Sequence, residues 1–220
     1  MKIKPVLQKY KPYLSLICGR LYYKLAFLAL TIVLSRVWEK ADYGYYASKV
    51  GTWAVVDTLI SIGMGISVPK LLVVYKSIRE VLIREAIVIS ILISLAALIS
   101  ISAIGLILSY TLQVDFDILD IAIICLSLTY GISVVLQCAY RVLGKISYDY
   151  MVSYISGSFI IVLALISFFF NMSPMVSVVS RILFFGLTNA YLIIKILKLY
   201  PLKKKYNRKF RDSRAVNALS

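Results

Sequence analysis

Arg20, Lys24 and Asp57 stand inside stretches otherwise apolar enough to cross a bilayer, as do Tyr130, Gln137 and Arg181, with Arg141 at the end of such a stretch. A charge at the centre of a spanning helix costs about 2.5–3.5 kcal/mol on insertion scales, so it is kept where it meets a polar interior, a counter-charge or a ligand. Helical residues advance about 100° each. On that count Arg20, Lys24, Thr31 and Ser35 share a face, as do Asp57, Ser61 and Gly65. Tyr130, Ser133, Gln137 and Arg141 form a third stripe, and Ser177, Arg181, Thr188, Tyr191 and Lys195 a fourth. Four stripes predict a shared cavity or path with more positive than negative charge on its walls. Taken singly, the hydroxyls have a simpler reading, bonding back to their own helices, and Arg141 and Lys195 can snorkel to the surface. Lys24 and Arg181 lie several turns from the nearest matching, cytoplasmic interface.

The midpoints of the first two apolar segments fall near residues 25 and 58. In antiparallel neighbours this sets Lys24 and Asp57 at matched depth and predicts an ion pair between them, with Arg20 one turn away. Such a pair either fastens two helices, takes up a proton to couple transport, or releases Lys24 to an anionic substrate.

The elements that position these residues follow from composition. The chain is 61% apolar and only 16% charged, with mean hydropathy +0.88. A soluble domain of 220 residues cannot hide that much apolar surface, so lipid is the solvent. Six segments reach the roughly 20 helical residues that a hydrocarbon core of about 30 Å requires. They lie near 14–36, 47–69, 86–110, 118–140, 150–170 and 175–198. None shows the alternation of a barrel strand. The expected fold is an all-α integral membrane protein, a six-helix bundle over residues 1–200 followed by a basic tail over 201–220. The first helix reads as an uncleaved anchor, because Arg20 and Lys24 interrupt any signal-peptide core.

The net charge of +15 is sorted by loop. Lys2, Lys4, Lys9 and Lys11 precede the first helix; Lys70, Lys76, Arg79 and Arg84 follow the second; Arg141 and Lys145 follow the fourth; PLKKKYNRKFRDSR follows the sixth. The alternate loops carry Glu39, Lys40 and Asp42, then Asp115, Asp117 and Asp120, then an uncharged NMSP. Basic loops remain cytoplasmic, which places both termini inside a multi-pass cytoplasmic membrane protein. The same sorting argues against nucleic acid as the partner of the basic charge.

The chain has no histidine, which excludes histidine-based acid–base chemistry and HExxH zinc sites. It has no Walker A sequence, and GMGISV at 63–68 lacks the third glycine of a dinucleotide loop. Cys18, Cys125 and Cys138 are isolated within apolar segments and read as small buried residues. No enzyme activity, cofactor or metal is expected. Asp115, Asp117 and Asp120 read as a hydrated turn, with cation binding as the alternative. Ser61/Gly65 and Ser153/Gly157 have the spacing of close helix contacts.

Residues 34–73, LSRVWEKADYGYYASKVGTWAVVDTLISIGMGISVPKLLV, resemble the start of the Wzx-type polysaccharide and O-antigen repeat-unit flippases of the MOP superfamily. Ser35-Arg36, Glu39, Tyr43-Gly44-Tyr45, Gly63, Gly65 and Lys70 occupy the places of that pattern, while the usual proline before Tyr-Gly is replaced by Lys40-Ala41. The resemblance implies a MATE-like single lobe in a bacterial inner membrane, and a cationic cavity that turns an undecaprenyl-pyrophosphate-linked oligosaccharide between leaflets for surface polysaccharide and lipopolysaccharide synthesis. Its cations would be Arg20, Lys24, Arg141 and Arg181. Family members have two lobes, so six helices correspond to one, completed by a second copy or by another chain. Two alternatives stand beside this reading: a cation-coupled exporter of small molecules with Asp57 as the proton carrier, and a non-transporting membrane scaffold for polysaccharide assembly.

Overall fold

The computed structural model describes the backbone of residues 3–74, 79–113 and 115–199, and side chains at 10–55, 70, 73–74, 82–113 and 115–199. Among these residues the chain is all-helical: α1 (Ile3–Val37), α2 (Lys40–Val74), α3 (Arg79–Leu112), α4 (Ile118–Val142), α5 (Ile146–Phe170) and α6 (Pro174–Leu199). Among the described residues α1, α3, α4, α5 and α6 are long and apolar enough to cross a membrane; the side chains of α2 from 56 to 69 lie outside the described set. The molecule is therefore a multi-pass membrane bundle. Its helices run past the apolar segments, by seven residues at the start of α2 and α3 and four at the start of α5 relative to the expected bounds. Hydropathy measures the hydrocarbon layer, whereas the helix continues into the interface until a residue stops it.

The stops are local. Gly144, at φ +74°, takes the left-handed conformation that ends α4. The Lys145 N–H then donates back to the Tyr140 carbonyl at 2.9 Å, the closing bond of a glycine-terminated helix. Asn171, at φ 48°, ends α5 in the same conformation, and Pro174 opens α6 at a position where its missing N–H costs nothing. Asp117 caps α4 by accepting from the Leu119 and Asp120 N–H groups, and the Asp120 carboxylate returns a bond to the Asp117 N–H.

α4 is the centre of the bundle. Its sides meet α2, α3 and α6, and α1 lies along α5. One apolar cluster gathers Leu30 and Leu34 of α1 and Trp38 just after it with Ile123 of α4, Ile160 of α5 and Val178 of α6. A second, toward the other end, joins Ile83 and Ile87 of α3 to Leu136 and Tyr140 of α4 and Leu192 of α6. α3 buries Ser90 and Ser94 with these two isoleucines, half-buries Leu82, Ile91, Leu98 and Ile101, and exposes most of its other Ile and Leu side chains, as a helix facing lipid on most sides does. The α1–α5 contact is close because of glycine. A Cβ on Gly157 would lie 2.6 Å from Tyr22 Cδ1, and one on Gly19 would lie 3.2 Å from the Tyr150 carbonyl oxygen.

Candidate functional site

The turns α1–α2, α3–α4 and α5–α6 gather at one end, here the acidic end; the α4–α5 turn lies at the opposite, basic end. Two adjoining cavities open between the α1–α5 pair and α4 with its neighbours. The one nearer the basic end measures about 570 Å³ and is lined by Arg20, Lys24, Tyr130, Gln137 and Arg141, with Ser153 and Ser156 of α5. The one nearer the acidic end measures about 360 Å³ and is lined by Lys24, Tyr46, Tyr130 and Arg181 among apolar side chains such as Val50 and Ile123. Six of the seven residues singled out in the sequence thus line one cavity or the other. The seventh, Asp57, has its backbone in α2, but its side chain lies outside the described residues.

Lys24, Tyr23, Tyr130 and Phe185 belong to both cavities. The rings of Tyr23 and Tyr130 stack at 6.3 Å, and Phe185 meets Tyr130 edge-on at 5.7 Å. These aromatic rings therefore stand where the two volumes adjoin, and Lys24 lines both. Arg181 is 3% exposed. It donates to the Tyr46 hydroxyl at 2.7 Å and to the Ser177 carbonyl at 3.2 Å, with its guanidinium over the Tyr46 ring. It is a fixed cation, bound to α2 from α6.

The predicted Lys24–Asp57 pair rests on α1 and α2 being close neighbours, and here the packing differs. Among the described residues α1 runs along α5 and α2 along α4, with little contact between α1 and α2. Glycine at 19 and 157 draws α1 to α5, while α2 is held to α4 by polar contacts at the acidic end.

Among the described residues an acid that the sequence stripes do not include meets two of the cavity cations. Asp149, in the first turn of α5, is fully buried; its Oδ2 lies 2.6 Å from Arg141 Nε and 3.6 Å from Arg20 Nη2. The expected fifth helix began at residue 150, which left Asp149 in a loop. The helix in fact begins at Ile146, directly after the Gly144 turn, so Asp149 faces back toward Arg141. Its position seven residues before Ser156 and four before Ser153 was the legible signal. Arg141 also donates to Cys138 Sγ at 3.1 Å.

Several stripe residues serve their own helices. Thr31, Ser35 and Thr188 donate to the carbonyls of Phe27, Ile32 and Phe184. Lys195 lies over the Tyr191 ring. Ser133 instead joins Asn189 of α6 at 2.6 Å, and Asn189 donates to the Thr129 carbonyl.

At the acidic end, the DYGYYASKVGTW segment forms a clamp. Tyr45, Lys49 and Trp53, spaced four apart on one face of α2, reach the acids at the start of α4. Lys49 Nζ lies 2.7 Å from Asp120 Oδ2 and 3.5 Å from Asp115 Oδ2. Trp53 Nε1 donates to Asp120 Oδ1 at 2.6 Å, and the Tyr45 hydroxyl donates to Asp117 Oδ2. Asp120 is 2% exposed. These acids are thus engaged by α2, where the sequence predicts a hydrated turn, and their partner Lys49 is not among the candidate residues. Burial opposes charge on Asp117, yet the bond from Tyr45, the Asp120 N–H and nearby Lys49 hold its carboxyl below the usual range. The same bond, with burial, pushes the Tyr45 phenol up to about 12.

The fold and the site together define a polytopic α-helical membrane protein with a cationic interior. No protein family, curated protein or solved structure matches the chain.

Proposed function

We propose that this chain is a lobe of a flippase that moves an anionic, lipid-linked oligosaccharide, of the undecaprenyl-pyrophosphate type, across a bacterial cytoplasmic membrane. The observation that carries the reading is the convergence of Arg20, Lys24 and Arg141 on one cavity of about 570 Å³ within apolar helices. Asp149 offsets one of these three cations; the net positive charge that remains inside a membrane is costly unless an anion visits it, and guanidinium groups match the planar forks of phosphate oxygens. The adjoining chamber offers aromatic faces and Arg181 to the sugar-bearing part of the ligand. The Tyr-Gly-Tyr segment supports the same assignment by its resemblance to the Wzx-type start. Rocking of the α1–α5 pair against α4 would expose the cations to either side in turn, with a second lobe, from another copy or another chain, closing the cavity.

The test is the leaflet in which the lipid-linked precursor resides in a strain lacking the chain, and in one carrying Arg20→Gln with Arg141→Gln. Precursor held on the cytoplasmic leaflet in both strains is the expected result. Precursor reaching the outer leaflet at the normal rate would refute flipping and leave a scaffold for polysaccharide assembly.

A further inference from the structure

Asp149 is not itself a lining residue of the larger cavity but is in contact with the two guanidiniums that line it. Its side chain is fully buried, while Arg20 and Arg141 keep 45% and 32% of theirs exposed. Arg141 Nε and Arg20 Nη2 approach the same oxygen, Oδ2. Arg141 Nε makes the one close contact, at 2.6 Å to Oδ2, and among the described residues Oδ1 accepts no hydrogen bond. An anchoring carboxylate takes two parallel N–H bonds from its arginine, and one that serves stability is saturated with donors. Asp149 has neither arrangement. Its effect on the cavity is therefore electrostatic, removing one unit from the positive charge that Arg20, Lys24 and Arg141 present.

We propose that Asp149 sets the affinity of this cavity for an oxyanion, weakening the hold of Arg20 and Arg141 on a phosphate-type ligand and taking the guanidiniums back when the ligand leaves. A ligand phosphate on the cavity side of the guanidiniums would feel the carboxylate across them, and like charges at such separations repel strongly where the surroundings are apolar. Tight binding would stall a transporter, whose site has to release as readily as it captures. The inference rests on the proposed function in taking the cavity to receive an oxyanion. It adds that the binding is deliberately weakened from within.

The experiment is calorimetric titration of inorganic pyrophosphate into the purified full chain in lipid nanodiscs at fixed salt, with dissociation rates from stopped flow. Asp149→Asn is expected to bind roughly tenfold tighter and to release more slowly, Asp149→Glu to resemble the parent, and Arg141→Gln to bind roughly tenfold more weakly. A parent that binds and an Asp149→Asn variant that binds no tighter would overturn the inference and leave the proposed function standing. Folded parent and variants that all fail to bind pyrophosphate would overturn both. If Asp149→Asn does not fold, Asp149→Ser makes the same comparison; loss of fold in both neutral variants shows the carboxylate to be structural and ends the inference.

Discussion

The molecule holds buried acids beside cations at both ends, and the two clusters are built differently. At the acidic end every oxygen of Asp117 and Asp120 accepts a bond. Asp120 takes Lys49, Trp53 and the Asp117 N–H; Asp117 takes Tyr45 and two amides at its own helix start. At the basic end two arginines crowd one oxygen of Asp149, and among the described residues its other oxygen accepts no hydrogen bond. A saturated network in a low-dielectric setting is a lock, because each member loses its partners together. An ion cluster short of directed bonds is a balance of charge, easily shifted by another ion. The lock fastens α2 to α4 away from the larger cavity, and the balance lies on that cavity's wall.

Breaking the lock gives the largest expected effect. Lys49→Met leaves the Asp120 carboxylate buried and uncompensated, for a loss of about 3–5 kcal/mol. Pairing it with Asp120→Asn should return a large part of that loss. Unfolding in mixed micelles followed by circular dichroism measures both, and an equal loss in the single and double variants would show that Lys49 and Asp120 do not act as a pair. Steric separation of the α1–α5 pair comes next. Gly157→Val places methyl groups where Tyr22 already lies, with an expected cost of about 1–3 kcal/mol by the same measurement. Parent-like stability would remove the close α1–α5 contact.

Acid sharpens the contrast further. The folded-state pKa of Asp117 is depressed, so its contribution is present above the ordinary carboxylate range. It is lost as pH falls through the depressed folded value, below about pH 4. In a Trp38→Phe background the emission of Trp53, which donates to Asp120, should stay constant from neutral pH to that range and then shift as the clamp loosens. Asp117→Asn should abolish the shift. The smallest effect belongs to hydroxyls that serve neither cluster: Thr31→Val and Ser35→Ala, which lose only bonds to their own helix, should stay within about 0.5 kcal/mol of the parent. A larger loss from either would mean that the α1 stripe does more than bond to itself.

Much of the architecture was legible in the chain. Apolar length marked every helix, and the 100° advance put Arg20 with Lys24, and Tyr130 with Gln137 and Arg141, on faces that do line one cavity. Helix ends were less legible, and the cost was Asp149: a start at residue 150 hid the acid in a loop. The clamp was misread for a related reason. Tyr45, Lys49 and Trp53 form a stripe only if α2 begins at Lys40, seven residues before its apolar segment.

Depth and face, then, are written in the chain itself. Hydropathy sets how a helix sits in lipid, and the helical period sets which side chains look the same way, both from residues a few positions apart. Which helix supplies the counter-charge was decided only by tertiary structure. That choice depends on surfaces distant in the chain: Gly19 and Gly157 let α1 approach α5, and the turn at Gly144 folds Asp149 back onto Arg141. An ion pair at matched depth is available to any neighbouring helix, and close packing selects the neighbour.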